Sequence, residues 1–407
     1  MLLYNYTARE PSTGKTIKAS VQADSESAAA ALIKKEGLVP LDISVGDSDG
    51  GIALPSFLRR KRIKIKEKVL FSRQLSTLIN AGLPLVQALR NVAGQTKSKP
   101  FRVVIDQVIA DVEAGSSLSK ALAKHPRVFN AVYISLVEAG ETSGTLDKSL
   151  ERLAIQQEKD ADIISKVRNA FIYPIIVLVV MVGVVIYMLL TVLPQVEALY
   201  EGMQGAQLPI FTRMLLFVSD IIKQFWWALA IVLGVGAFFA TRWARTGPGK
   251  SAIDKFKMKA PLIGPLYMKL YMARFARTGA TLIGSGVPLI RVLEITGDAV
   301  DNVHIKASLK ASTEKVKGGK ALSSTLEGNN NFLELVPSML HIGEESGSTE
   351  AMMSKTAEYY EKEVDDQIKA ISTVIEPVLM VVMGIMALII VAAVLLPVYT
   401  LSGDSIV

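Results

Sequence analysis

At 407 residues the chain is long enough for two or three domains, and half of its residues are hydrophobic. Its mean hydropathy of +0.36 is high for a soluble protein and modest for one packed wholly within a bilayer, so a few spanning helices joined to large soluble parts fit best. The lack of cysteine excludes disulfides and thiolate metal sites, three dispersed histidines (His125, His304, His341) argue against a metal centre, and a net charge of +7 suits basic flanks beside a membrane.

Residues 1–45 read as a small α/β domain. LLYNYTA and TIKASVQA are strands joined by a PSTGK turn, Asp24 caps a helix that Gly37 ends, and VPLDISV is a third strand. No apolar leader core is visible, so no cleavable signal is expected. Residues 46–66 read as a linker, with Gly, Asp, Ser and Pro clustered over 46–56. Arg59 to Lys68 holds seven basic residues and one acid, Glu67. A solvated linker running into a helix accounts for that run; contact with membrane lipid headgroups is the sharper alternative. No aromatic residues interleave the charges, which argues against nucleic acid.

From Glu67 the pattern is helical. Phe71, Leu75, Leu78 and Ile79 form one apolar stripe, Gly82 ends that helix, and Pro84 suits the first turn of the next. Amphipathic helices continue to residue 168, broken at Gly115 and over Gly140–Gly144, so 67–168 reads as a helical bundle. Residues 170–194 follow as a span: Phe171 to Leu193 is 23 residues without a charge, enough to cross a bilayer core of about 30 Å. Residues 195–220 read as a periplasmic loop and 221–243 as a second span, with Trp226, Trp227 and Trp243 placed for the interfacial belts.

The second half repeats the first. Phe71–Leu85 aligns with Phe275–Leu289 at an offset of 204, and Val112, Gly115, Leu118 and Ser119 match Val316, Gly319, Leu322 and Ser323. At an offset of 203, Gly140-Glu141-Thr142-Ser143-Gly144 matches Gly343-Glu344-Glu345-Ser346-Gly347. Residues 244–372 therefore read as a second bundle, 375–398 as a third span and 399–407 as a periplasmic tail. Pro174 and Pro377 fall in the first turns of their spans, where proline is tolerated, and Pro194 and Pro397 end them. Residues 195–224 carry two basic and three acidic residues, against six basic and one acidic over 242–259, and the tail has no Lys or Arg. The positive-inside rule then puts the N-terminus and both bundles in the cytoplasm, with the 195–220 loop and the C-terminus outside.

Candidate chemistry is sparse. Gly14-Lys15-Thr16 and Gly249-Lys250-Ser251 imitate the end of a phosphate-binding loop, but Arg9 and Ala244 stand where its first glycine is required. Glu138 and Glu141, with Glu344 and Glu345, could coordinate a cation, form an acid/base pair or crown helix ends. Nothing in the sequence places a nucleophile beside them, so the paired loops (Glu141, Ser143, Gly144; Glu344, Ser346, Gly347) are read as partner contacts, with Gly144 and Gly347 at tight turns. Catalytic residues, cofactor and metal are all expected to be none.

Lys166-Val-Arg-Asn-Ala-Phe-Ile-Tyr173-Pro174, with Pro194 closing the span, resembles the signature of the type II secretion system protein F family, which includes type IV pilus platform proteins. Lys369, Pro377 and Pro397 are the repeat equivalents; Glu376 departs from the pattern by standing where the first half has Tyr173. The resemblance implies an all-α membrane protein: two repeated cytoplasmic helical bundles, three transmembrane helices and a small N-terminal α/β domain. It implies a polytopic platform in the bacterial inner membrane, not an enzyme, that oligomerises with copies of itself. Such a platform couples a cytoplasmic hexameric ATPase to insertion or removal of pilin or pseudopilin beside other inner-membrane assembly proteins. A transporter or permease subunit is the alternative. It would need a polar path at the midplane, and the spans hold no ionisable residue at their centres.

Overall fold

A computed structural model describes residues 2–9, 16–23, 26–35, 37–45, 63–201, 210–261 and 263–403. Asp24, the Gly14-Lys15 pair, most of the 46–66 linker and its basic run, and parts of the 195–220 loop and the tail lie outside the described residues. The chain divides into two compact units, 1–62 and 63–407.

In the first unit, β1 (Leu2–Arg9) lies between β2 (Thr16–Ala23) and β3 (Val39–Val45), antiparallel to both, giving the order β2-β1-β3. Helix α1 (Glu26–Lys35) buries Ile33 against Tyr6 and Ala8 of β1. Gly37, at φ 75°, turns the chain back into β3.

The second unit is helical, and its elements occur twice. The first set is α2 (Ile65–Asn80), α3 (Leu85–Gln95), α4 (Lys99–Glu113), α5 (Leu118–Ala123), α6 (Ala131–Ser143) and α7 (Leu146–Tyr187). A π-helical turn (Met188–Val192), α8 (Leu193–Glu201), α9 (Ile210–Ala244) and α10 (Gly247–Lys259) join it to the second set. That set is α11 (Gly264–Gly284), α12 (Leu289–Ala299), α13 (Val303–Lys317), α14 (Leu322–Leu326), α15 (Leu335–Glu345) and α16 (Thr349–Gly403). The turn glycines repeat with the helices: Gly82 and Gly286 have φ of 84° and 79°, Gly115 and Gly319 of 92° and 87°.

The predicted stripe of α2 faces inward. Phe71 and Leu75 are buried, and Phe71 packs edge-on to Phe101 with Phe129 and Tyr133 behind. The second set builds its own core on Phe275, Phe332, Leu309 and Leu340. The cores are not separate: Leu282, Val292 and Ile295 of the second set are buried within the cluster of the first. The two bundles are thus one body, because apolar faces left over from each repeat cover each other.

Helices α7, α9 and α16 each contain a stretch long and apolar enough to cross a membrane. Three sequence expectations change here. First, bundle and span are not successive elements: α7 runs 42 residues and α16 runs 55, each a single helix leaving the bundle core and continuing through the apolar stretch. Second, the prolines are interior. Pro174 lies in mid-α7, and helix continues beyond both Pro194 and Pro397. Proline removes one N–H and crowds the carbonyl four residues earlier. Before Pro194 the helix widens to a π turn, in which Leu193 N–H donates to Met188 O, and so the strain is absorbed without a break. Third, much of 195–220 is helical. The first arm of α9 buries Thr212, Leu216 and Ser219 at helical spacing, and the helix is kinked at Phe225. Leu216 packs on Leu193 and Ala393, and the Ser219 hydroxyl donates to Leu189 O at 2.6 Å, which ties the far ends of the three long helices together.

Candidate functional site

The paired Gly-Glu-x-Ser-Gly loops lie where α6 turns into α7 and α15 into α16. Gly144 and Gly347 have φ of 71° and 66°, the left-handed region that glycine enters without a steric penalty. Thr145 N and Ser348 N donate back to Gly140 O and Gly343 O at 2.9 and 2.8 Å. The leading glycines serve close approach. A Cβ on Gly140 would stand 2.6 Å from the Ser149 hydroxyl, and one on Gly343 would stand 2.8 Å from the Thr349 Cα. The Ser143 and Ser346 hydroxyls bond back to Ala139 O and Ile342 O, and to the Thr145 and Ser348 hydroxyls.

The carboxylates of Glu141 and Glu344 are engaged within the fold, while Ser143 and Ser346 of the same loops are exposed. The Glu141 carboxylate accepts from Leu118 N at 2.5 Å, Ser119 N at 3.1 Å and the Ser119 hydroxyl at 2.5 Å. Glu344 accepts from Leu322 N at 2.7 Å, Ser323 N at 3.2 Å and the Ser323 hydroxyl at 2.5 Å. Helices α5 and α14 are short, and their own N-cap residues, Ser117 and Ala321, supply no side-chain bond. A carboxylate brought from the neighbouring helix satisfies the free N–H groups and complements the positive helix end.

From these loops α7 and α16 run side by side, and pairs of charges fix them. Arg73 of α2 holds Glu158 of α7 through two guanidinium nitrogens, and Arg277 of α11 holds Glu361 of α16 at 2.8 Å. These pairs are repeat equivalents, at offsets of 204 and 203. The Arg73 guanidinium keeps the Glu158 carboxyl below its ordinary value. Sequence reasoning missed both pairs, although the recurring arginine stands within the aligned Phe71 and Phe275 segments. Between the long helices, the Lys166 ammonium meets Asp162 of its own helix at 2.9 Å and Asp365 of α16 at 2.7 Å. Beside it Ile163, Leu266, Val364, Ile368 and Ile371 form a small core, with Ala170 and Ile375 packed against it at the starts of the apolar stretches. Deeper in the body, Gln156 Nε2 donates to the Thr278 hydroxyl at 2.9 Å across the two repeats.

The other signature positions diverge between repeats. Lys369 is exposed and meets Asp366 on its own helix at 3.3 Å, so it does not reproduce the Lys166 clamp. Pro174 is buried, while Pro377, Tyr173 and Glu376 are exposed. Nor is the Gly249-Lys250-Ser251 fragment arranged as a phosphate cradle. Gly249 N–H donates to the Thr246 hydroxyl, and Lys250 pairs with Asp301 at 2.8 Å.

The arrangement therefore offers two long helices clamped to each other and to a shared core, leading from a charged body into an apolar zone. Two family models match the chain. That of type II secretion system (T2SS), protein F, matches twice, at residues 71–194 and 275–397, and that of the protein F N-terminal domain matches residues 1–44. The chain is 37% identical over 409 residues to type IV pilus assembly protein PilC of Thermus thermophilus, covering 99% of each. It is 34% identical to PilC of Pseudomonas aeruginosa, over 91% of this chain and 98% of that one. It is also 33% identical to type II secretion system protein F of Pseudomonas aeruginosa, over 99% of both.

Proposed function

The chain belongs to the type II secretion system protein F family, and on that premise we propose that it is the multi-pass inner-membrane platform of a type IV pilus or type II secretion machine. In this reading residues 1–45 form a separate small α/β domain. That domain and both bundles are cytoplasmic, and the C-terminus lies outside, in keeping with the six basic residues over 242–259 and none after Pro397. The platform acts through contact with partners and not as an enzyme. It couples a cytoplasmic assembly ATPase to insertion or removal of pilin or pseudopilin, and works as a homo-oligomer.

The observation that carries this reading is the continuity of α7 and α16 from the shared core into the apolar stretches. Motion imposed on the body reaches the membrane with no joint to absorb it, because a helix continues as a rod and the clamps keep the two rods in step. The test is deletion of the gene in its host with complementation, reading surface pili and secreted protein separately. A photo-crosslinker on the exposed body then identifies neighbours. Loss of either readout, with an assembly ATPase among the captured proteins, is expected. A deletion strain with intact pili and intact secretion refutes the proposal.

A further inference from the structure

We propose that α10 is a membrane-surface helix, whose outward face docks on anionic phospholipid headgroups at the inner end of α9 and seats Phe256 among them. The inference rests on the reading that α9 spans the bilayer. Only Arg245 and Thr246 separate the two helices. The turn between them is tight: Thr246 N and the Thr246 hydroxyl donate to Trp243 O at 2.9 and 2.7 Å. Gly249 lies so close to that carbonyl that a Cβ there would stand 2.0 Å from it. The first turn of α10 is thus packed on the last turn of a membrane-crossing helix. The 13 residues of α10 extend about 20 Å from that turn, and in this inference the helix lies along the headgroup layer.

The rotation of α10 about its axis is fixed from within. Asp254, buried, accepts from Val303 N at 3.0 Å, and Lys250 pairs with Asp301. Asp254 is the single acid between Arg242 and Lys259, so the helix turns its only negative charge inward. Outward, at helical spacing, stand Ala252, Lys255, Phe256 and Lys259. Phe256 is 67% exposed, and Trp243, in the last turn of α9, is exposed as well. Arg242, Arg245, Lys255 and Lys259 meet no carboxylate among the described residues. A basic face with one aromatic anchor is the composition of helices that lie in the interface of anionic bilayers. Nearby basic residues add to the attraction, and it fades within a Debye length.

The experiment uses the full chain in lipid nanodiscs, with single cysteines at Phe256→Cys, at Val235→Cys in mid-α9 and at Ile342→Cys on the body, each carrying a fluorophore. The native chain has no cysteine to interfere. Nanodiscs of phosphatidylcholine alone are compared with nanodiscs containing a third phosphatidylglycerol. Quenching is read with nitroxide-bearing lipid and with iodide in the water. In phosphatidylglycerol, position 256 should be quenched by lipid and shielded from iodide, as 235 is and 342 is not. Lys255→Glu with Lys259→Glu, both at exposed positions, should shift the ratio of lipid to iodide quenching at 256 by fivefold or more toward water. High salt should do the same in part. Iodide quenching at 256 as strong as at 342 in both lipids, with 235 still lipid-quenched, overturns the inference and leaves the span intact. Shielding of 256 that appears only when a partner protein is added also overturns it, and assigns the face to an acidic protein surface. Failure at 235 as well would instead refute the spanning reading on which it rests.

Discussion

Reversing the charge of Glu141 should unfold the body more readily than an exposed glutamate allows. The carboxylate is the acceptor for Leu118 N, Ser119 N and the Ser119 hydroxyl, and both of those residues are buried. In Glu141→Lys, two N–H groups at the start of α5 lose the one partner they have among the described residues, at about 1 kcal/mol each on the low side of the range for unsatisfied buried groups. The lost hydroxyl bond adds about 1 kcal/mol, and a cation at a helix N-terminus adds about 0.5 kcal/mol more. The total is about 3–4 kcal/mol. At about 2 °C per kcal/mol for a large unit, the Tm should fall by about 6–8 °C. Glu141→Gln keeps an acceptor without the charge and should cost about 1–2 kcal/mol. Glu344→Lys should match Glu141→Lys, because the second repeat makes the same three bonds. The assay is thermal unfolding of the full-length protein in detergent, followed by circular dichroism, beside copurification of partners. An unchanged Tm with assembly abolished would refute the cap and restore an outward role for the glutamate.

Gly343→Ala should lower stability by about 1–3 kcal/mol, because its Cβ would meet the Thr349 backbone. Gly94→Ala, with nothing within 4 Å, should be neutral or stabilising, and the two Tm values measured together check the packing argument. Lys166→Glu sets three carboxylates together between α7 and α16, and should impair complementation of assembly in the host while costing at most about 1 kcal/mol, since the site is partly exposed. Adding Asp365→Lys should restore it, and failure of that swap would show that Lys166 acts elsewhere. Burial pushes the Tyr133 hydroxyl above its ordinary pKa. The folded state therefore favours the neutral phenol, so stability is intact below about pH 10 and falls as pH rises through it. Relative to Tyr133→Phe, the native protein should lose about 1.4 kcal/mol per pH unit above that point, and parallel alkaline melting curves would contradict this.

Hydrophobic periodicity and self-similarity were enough to read the duplication, the helical bundles and the three apolar stretches. The glycines at the ends of α2 and α6 were legible for the same reason: φ preference and apolar spacing are properties of a few adjacent residues. The role of Glu141 was not legible, because its partners on α5 lie more than twenty residues away and only the packing of α6 beside α5 brings them together. An exposed charge and a capping charge look alike in sequence. The prolines misled for a related reason. Pro174 and Pro194 carry a strong local tendency to end helices, yet in an apolar zone the alternative is an open backbone without partners, so the helix continues and one turn before Pro194 widens.

The amino-acid sequence by itself determined what the chain is made of: two like helical sets, each followed by a stretch that water rejects, with charge distributed unevenly between the loops. Only the tertiary structure decided that the two sets are one body and that bundle and span are one rod. Neither follows from local preference. The burial of Leu282, Val292 and Ile295 in the core of the first repeat depends on which faces two folded bundles leave uncovered. The Lys166–Asp365 clamp depends on α7 and α16 arriving side by side, two residues nearly half the chain apart held at 2.7 Å.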